Sequence, residues 1–273
     1  MPLPGGTLPF LRWIGGKQKL VKQLADRLPP DFDNHEYHEP FLGAASLFFN
    51  RVPQAAHLSD LNSHLIDCYC QVRDKPGLVA RHLQRHAREN SEEYYYEQRR
   101  AYNRGKASPA QAARFIYLNK TCFNGIFRVN RQGAFNVPWG AKSAPALPDE
   151  DALQRASQAL QRANLEVLDY HDAIGRVQPG GFAYVDPPYP APINGDSFAL
   201  YTADRFSLSD HCRLADSIAD LDRRGGLFMM SNADVPVVRE LYDGFRIDVL
   251  PAIRYVTCKN KKRAVQELVI TNY

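Results

Sequence analysis

Five cysteines in 273 residues form no C-x-x-C pair, which removes the usual spacing of a structural zinc site or a dithiol redox site. Their odd number (Cys68, Cys70, Cys122, Cys212 and Cys258) and the lack of a leader pattern point to a reducing cytoplasm rather than a disulfide framework. Cys68 and Cys70 read as a pair inside a helix core. No apolar run approaches the roughly 20 residues that a membrane span needs. Even Gly226 to Ser231 is only strand-sized. Low-complexity tracts are missing too. With 44% hydrophobic and 23% charged residues, the chain can bury one large core, or one core carrying an insertion.

The strongest local signal is Asp186-Pro187-Pro188-Tyr189, which follows the apolar run Gly181 to Val185. A strand that opens into an acid, two rigid prolines and an aromatic ring describes a pocket at the carboxyl edge of a sheet, where open α/β folds bind ligands. These residues suit chemistry on an amino group attached to a flat ring, such as N6 of adenine. The lone pair of such an amine is delocalised into the ring, so the amine is a poor nucleophile. The Asp186 carboxylate can accept one N–H and the Pro187 carbonyl the other, which favours a pyramidal nitrogen. Proline fixes φ and holds these acceptors in place. Tyr189 offers a stacking face to a base taken out of a duplex, worth about 1–3 kcal/mol. A plain strand-to-turn junction would use the same Pro-Pro dipeptide, so the motif needs company.

Charge supplies some of it. From Arg73 to Pro148 there are 14 Lys and Arg against 5 Asp and Glu, a net of +9 in a chain whose total is +4, so the remainder lies near −5. A segment this basic suits phosphates. The alternative is a solvated helical face. Around it the chain reads as α/β. Strands are expected near Glu36–Pro40, Ala55–Ser59, Asn164–Leu168, Gly181–Val185, Gly226–Ser231, Phe245–Leu250 and Gln266–Thr271. Amphipathic stretches alternate with them at Gln18–Leu28, Asp151–Ala163 and Ser209–Arg224. The last two strands are joined by a short basic loop, which predicts an antiparallel edge pair. Leu65–Phe115 reads almost entirely as helix, with Leu78, Leu83, Tyr95 and Tyr102 among its apolar positions. The fold expected is a doubly wound sheet interrupted by an inserted helical domain at roughly 63–148.

Three further segments sit where a nucleotide-like ligand would need them. In Glu39-Pro40-Phe41-Leu42-Gly43-Ala44-Ala45-Ser46 a strand ends in a small-residue turn before a helix over Ser46–Asn50. It is not G-x-G-x-x-G. Next, Ser59-Asp60-Leu61-Asn62 places an acid 17 residues after Gly43, a position from which carboxylates bind ribose hydroxyls. Third, Phe10 to Lys17 combines Arg12, Trp13, Gly15-Gly16 and Lys17 ahead of a helix. Taken singly, these read as a β-α turn, a helix cap at Asp60 and an amphipathic helix start with a core Trp13.

In this order, and with Leu118 to Asn130 followed by Gly133 to Gly140, the segments resemble the amino-methylating DNA methyltransferases, most closely the Dam-like adenine N6 methyltransferases of the D12 class. The likeness spans nearly the whole chain. It implies a Rossmann-like, doubly wound, seven-stranded methyltransferase sheet, with residues 1–62 and 149–273 binding S-adenosylmethionine and 63–148 recognising the target. It implies that Trp13, Lys17, Phe41, Gly43, Asp60 and Asp186 contact or shape the site of S-adenosylmethionine, and that Asp186, Pro187 and Tyr189 hold the flipped adenine. For double-stranded DNA it implies Arg12, Phe123, Asn124, Ile126, Arg128, Asn130 and Pro138. Among these, Phe123 is the stacking wedge, Arg128 a base or phosphate contact, and Ile126 and Pro138 contacts to a thymine methyl.

The reaction implied is direct transfer to the amine at a short palindrome such as GATC, with no metal and no obligatory protein partner. Cytosine C5 chemistry needs a Pro-Cys nucleophile, and none of the cysteines follows a proline. Cytosine N4 methylation is the near alternative, and a DNA-binding regulator that keeps the fold is the alternative outside catalysis. Two departures stand out: Ala45 replaces a frequent glycine, and Ala141-Lys142-Ser143 lacks an arginine found in some relatives.

Overall fold

A computed structural model describes residues 6–190, 206–255 and 262–273. Elements are numbered along these residues. Seven strands are present: β1 Tyr37–Glu39, β2 Ala56–Asp60, β3 Ala163–Val167, β4 Phe182–Val185, β5 Leu227–Ala233, β6 Arg246–Tyr255 and β7 Lys262–Thr271. They form one sheet in the order β3-β2-β1-β4-β5-β7-β6. β1 pairs in parallel with β2 and β4, and β4 with β5, whereas β7 runs antiparallel to β5 and β6. The expected antiparallel pair therefore forms at the β6 edge. The basic loop joining β6 and β7 falls on residues 256–261, outside the described residues. β4 is buried at every position, as a central parallel strand covered on both faces must be, which is why it reads as an unbroken apolar run.

The chain divides into two compact units. The first holds the described residues of Met1–Val21, with Gly43–Gln54 and Asn62–Val167; the second holds Lys22–Leu42, Ala55–Leu61 and those of Leu168–Tyr273. The second unit is built on α8 Tyr170–Gly175, α9 Leu208–Arg223 and α10 Pro236–Leu241. Ala183 and Val185 of β4, Phe228 and Met230 of β5, and Leu268 and Ile270 of β7 share one core with Leu214, Ile218 and Leu221 of α9. Period-two alternation along the strands meets the i, i+4, i+7 stripe of the helix.

In the first unit, the stretch read as nearly continuous helix is four: α3 Ser63–Asp74, α4 Pro76–Glu89, α5 Glu92–Tyr102 and α6 Pro109–Thr121. The breaks have local causes. Pro76 and Pro109 occupy first helical positions, where a missing N–H costs nothing, and each pushes the residue before it out of helical geometry. Asn62, Ser91 and Ser108 cap their helices by accepting from Leu65, Tyr94 and Gln111 N–H. The amphipathic stretch expected at Gln18–Leu28 is helical only over α1, Val21–Ala25. Leu20 and Leu24 are buried, but Gly15-Gly16 and Pro29-Pro30 close in from both sides. The remaining helices are α2, Ser46–Arg51, and α7, Glu150–Leu160.

Candidate functional site: a strand-edge carboxylate and a basic hairpin

In the second unit the parallel strands β1, β2, β4 and β5 end on the same edge of the sheet, and the predicted residues Phe41, Asp60 and Asp186 lie at or just past those ends. His38 lies opposite His57 and Ala183, and Val185 opposite Met230. One residue further on, Asp186 stands beside Ser231, while past the end of β1 the chain slips by one residue, Leu42 N–H donating to the Ser59 carbonyl next to Asp60. Asp60 is the last residue of β2 and not a helix cap, since Asn62 caps α3. Phe41 stacks on Tyr170 with ring centroids 5.2 Å apart and meets Phe206 edge-on. Arg213 covers the Tyr170 ring at 5.1 Å.

Asp186 follows β4 directly. Its Oδ1 accepts a 2.7 Å hydrogen bond from Ser231 Oγ. Ser231 has one proton and donates it there, so Tyr184 Oη, 3.0 Å away, donates to Ser231. The result is a directed chain, Tyr184 to Ser231 to Asp186. Pro187 is buried, and the Tyr189 hydroxyl donates to Glu267 Oε2 at 3.0 Å. Desolvation first, and then the Asp186 charge, hold the phenols of Tyr184 and Tyr189 well above their ordinary range, so both stay protonated donors. Ser231, Glu267 and Tyr184 escape a sequence reading because they act through contacts 45, 78 and 47 residues away. The only trace of Ser231 is its position at the end of an apolar run.

The first unit holds two other groups of predicted residues. Gly43 adopts φ +45°, and a Cβ there would stand 2.8 Å from Trp13 Cδ1. Only glycine lets the indole lie against this turn. Trp13 also stacks on Phe127 at 6.0 Å. Buried Lys17 donates from Nζ to the Gly15 carbonyl, and Tyr69 Oη donates to the Gly43 carbonyl. Ala45 sits at φ 54°, ψ 40°, the left-handed region that glycine enters without steric cost and alanine does not.

Residues 122–140 form a tight hairpin-like segment. Cys122 bridges Trp139 and Val129 bridges Phe135. Asn124 is left-handed at φ 56°. Asn130 closes the turn, its Oδ1 accepting from Gln132 and Ala134 N–H, so its structural part is the turn. Phe123 N–H donates to the Pro138 carbonyl, setting these two exposed side chains side by side. Arg128 Nε donates to Asn136 Oδ1, which fixes the guanidinium plane. Ile126 is half-buried. Arg12 is tied in by buried Asn119, which accepts from its N–H and donates to its carbonyl. Lys120, next to Asn119, has its pKa lowered by burial and then by the nearby Arg12 charge. Burial pushes the Cys122 thiol up to about 12 and raises Cys68 and Cys70 as well, so none of the three is poised as a thiolate. Cys68 faces the core while Cys70 is half-buried, so the two do not form a core pair.

A seven-stranded sheet with an antiparallel strand slotted between its last two members, and an acid at the carboxyl end of its central strand, defines a Rossmann-like methyltransferase. The profile of the family described as D12 class N6 adenine-specific DNA methyltransferase matches residues 13–255. This chain belongs to that family. It is 36% identical to a type II methyltransferase of Lactococcus lactis subsp. cremoris, covering 97% of this chain and 95% of that one. It is 34% identical to a type II methyltransferase of Methanocaldococcus jannaschii, over 97% and 99%. Against the DNA adenine methylase of Escherichia coli K12 identity is 32%, over 95% and 93%. Among the described residues no helix is long and apolar enough to cross a membrane.

Proposed function

We propose that this chain transfers the methyl group of S-adenosylmethionine to N6 of an adenine rotated out of duplex DNA, within a short palindrome such as GATC, in the cytoplasm. The observation that carries the reading is Asp186. It is a carboxylate at the end of a buried parallel strand, with one oxygen held by Ser231 at 2.7 Å, followed by a buried proline and a hydrogen-bonded tyrosine. Asp186 accepts one N–H of the base amine and the Pro187 carbonyl the other. Their fixed positions favour the pyramidal nitrogen that attacks, and they stabilise the charge that develops on it. Tyr189 offers the stacking face, anchored by Glu267.

The residues fit the donor. Phe41 gives an apolar wall, Asp60 a carboxylate suited to ribose hydroxyls, and the Gly43 turn a backbone that a side chain would obstruct. With Trp13, Lys17 and Asp186 they make the set that the family resemblance assigns to S-adenosylmethionine. When bound, that molecule supplies a methyl group on a sulfonium leaving group. We assign residues 1–62 and 149–273 to this task and 63–148 to target recognition. Arg12, Phe123, Asn124, Ile126, Arg128, Asn130 and Pro138 belong to the DNA-facing side, and the net positive charge of 73–148 supports it.

Labelled methyl transfer to duplex DNA tests this with Asp186→Ala. Turnover should fall at least about 100-fold, since a fixed acceptor on the developing charge is removed. DNA binding should hold, because no phosphate contact is lost. Near-normal turnover would overturn the assignment.

A further inference from the structure

Where β1 and β2 begin, within the second unit, Glu36 just before β1, His38 within it and His57 of β2 converge, three donors that the methyl-transfer chemistry leaves unused. Period two puts Glu36 and His38 on one face, and the parallel register sets His57 opposite His38. His38 Nε2 lies 3.2 Å from Glu36 Oε2, and His57 Nε2 lies 2.9 Å from Glu36 Oε1. The two imidazoles stack with centroids 4.7 Å apart and planes 12° from parallel. One donor atom from each residue lies within 4.8 Å of the other two. His38 is buried, whereas the side chains of Glu36 and His57 are 40% and 44% exposed, so the cluster is anchored on one side and open to exchange on the other.

We propose that Glu36, His38 and His57 form a site for a divalent transition-metal ion of the zinc type, bound through two imidazole nitrogens and one carboxylate oxygen. Two imidazoles and a carboxylate are the protein ligands of open zinc centres, with water in the fourth position. Magnesium and calcium prefer all-oxygen shells. Bonds of about 2.0–2.2 Å place tetrahedral donors roughly 3.4 Å apart, close to the two histidine-to-glutamate spacings of 3.2 and 2.9 Å already present. Parallel rings point their lone pairs side by side, so the His57 ring has to tilt, and its exposure permits that. Two histidines 19 residues apart give no motif spacing, which is why the cysteine-based reading of the sequence found no metal site. A bound ion would tie β1 to β2 beneath the level of Phe41 and Asp60.

Calorimetric titration of the full chain with zinc chloride in a non-chelating buffer tests this. One ion per chain is expected. H57A and E36Q should each weaken binding at least roughly tenfold, as loss of metal-site residues commonly does. E36Q keeps the side-chain volume, and both positions are half-exposed, so circular dichroism should show both variants folded. Cobalt(II) titration separates these ligands from the cysteines: visible d–d absorption without a thiolate charge-transfer band supports the site. No saturable zinc binding, affinity unchanged in both variants, or a thiolate band that persists in H57A would overturn it.

Discussion

At the carboxyl end of β4 the side chains themselves are held, whereas along residues 122–140 the backbone is held and several side chains are left in solvent. Asp186 and Tyr189 each have a partner on a strand beyond β4, Ser231 of the parallel β5 and Glu267 of the antiparallel β7. In the hairpin, apart from the Arg128–Asn136 pair, the bonds go instead to main-chain atoms. Asn103 spans both N–H and C=O of Phe135, Tyr95 and Arg99 donate to the Val137 carbonyl, and Asn130 closes its own turn. Phe123, Asn124 and Pro138 project outward. The contrast separates two physical demands. Activating an amine needs acceptors fixed in advance, because reorganisation would be paid for at the transition state. Reading a duplex needs a rigid frame with side chains free to meet bases and phosphates.

Four perturbations sharpen that contrast. The largest strikes the frame. His86 of α4 is buried beside Tyr94, its Nδ1 2.8 Å from the hydroxyl, and desolvation lowers its pKa to about 4. The unfolded chain binds a proton near pH 6.5 that folded His86 refuses until near pH 4. Stability is therefore complete above pH 6.5 and falls through that window, by about 2–3 kcal/mol from this group. Urea unfolding at pH 7 and 4.5 measures the loss, and His86→Gln should shrink it; an unchanged pH dependence would contradict the assignment. Arg128→Ala should next cost about 1–3 kcal/mol in DNA affinity by fluorescence anisotropy, with thermal stability nearly unchanged.

Ser231→Ala removes one donor to Asp186 and leaves every DNA-facing residue in place. Turnover at saturating DNA should fall roughly tenfold, with KM for DNA unchanged, in line with one hydrogen bond to a charged group. A rise in KM with constant kcat would mean that Ser231 serves binding. Ala45→Gly is the mildest. It relieves left-handed strain of about 1–2 kcal/mol but frees the unfolded chain by about 0.4–1 kcal/mol, so the net gain should stay under about 1 kcal/mol in chemical unfolding.

Much of the strand edge that carries the candidate site was legible in the sequence, because parallel strands announce themselves as short apolar runs and the acids fall at their ends. Phe41, Asp60 and Asp186 needed only that logic. The partners that fix Asp186 and Tyr189 did not announce themselves. Ser231, Glu267 and Tyr184 are single residues whose meaning comes from register, and register is a tertiary property. The helical stretch was legible in type but not in number, since caps at Asn62, Ser91 and Ser108 look like ordinary polar residues until a chain break follows them. Asn130 shows a further role that the sequence did not announce: its amide oxygen accepts from Gln132 and Ala134 N–H and closes the turn.

The most direct test is to incubate the chain with S-adenosylmethionine and methylation-free duplex DNA, digest to nucleosides, and identify the methylated base by mass spectrometry. N6-methyladenine is the predicted product, formed by the native chain and lost with Asp186→Ala. N4-methylcytosine, or no methylated base from a folded chain that binds both S-adenosylmethionine and DNA, would contradict the account.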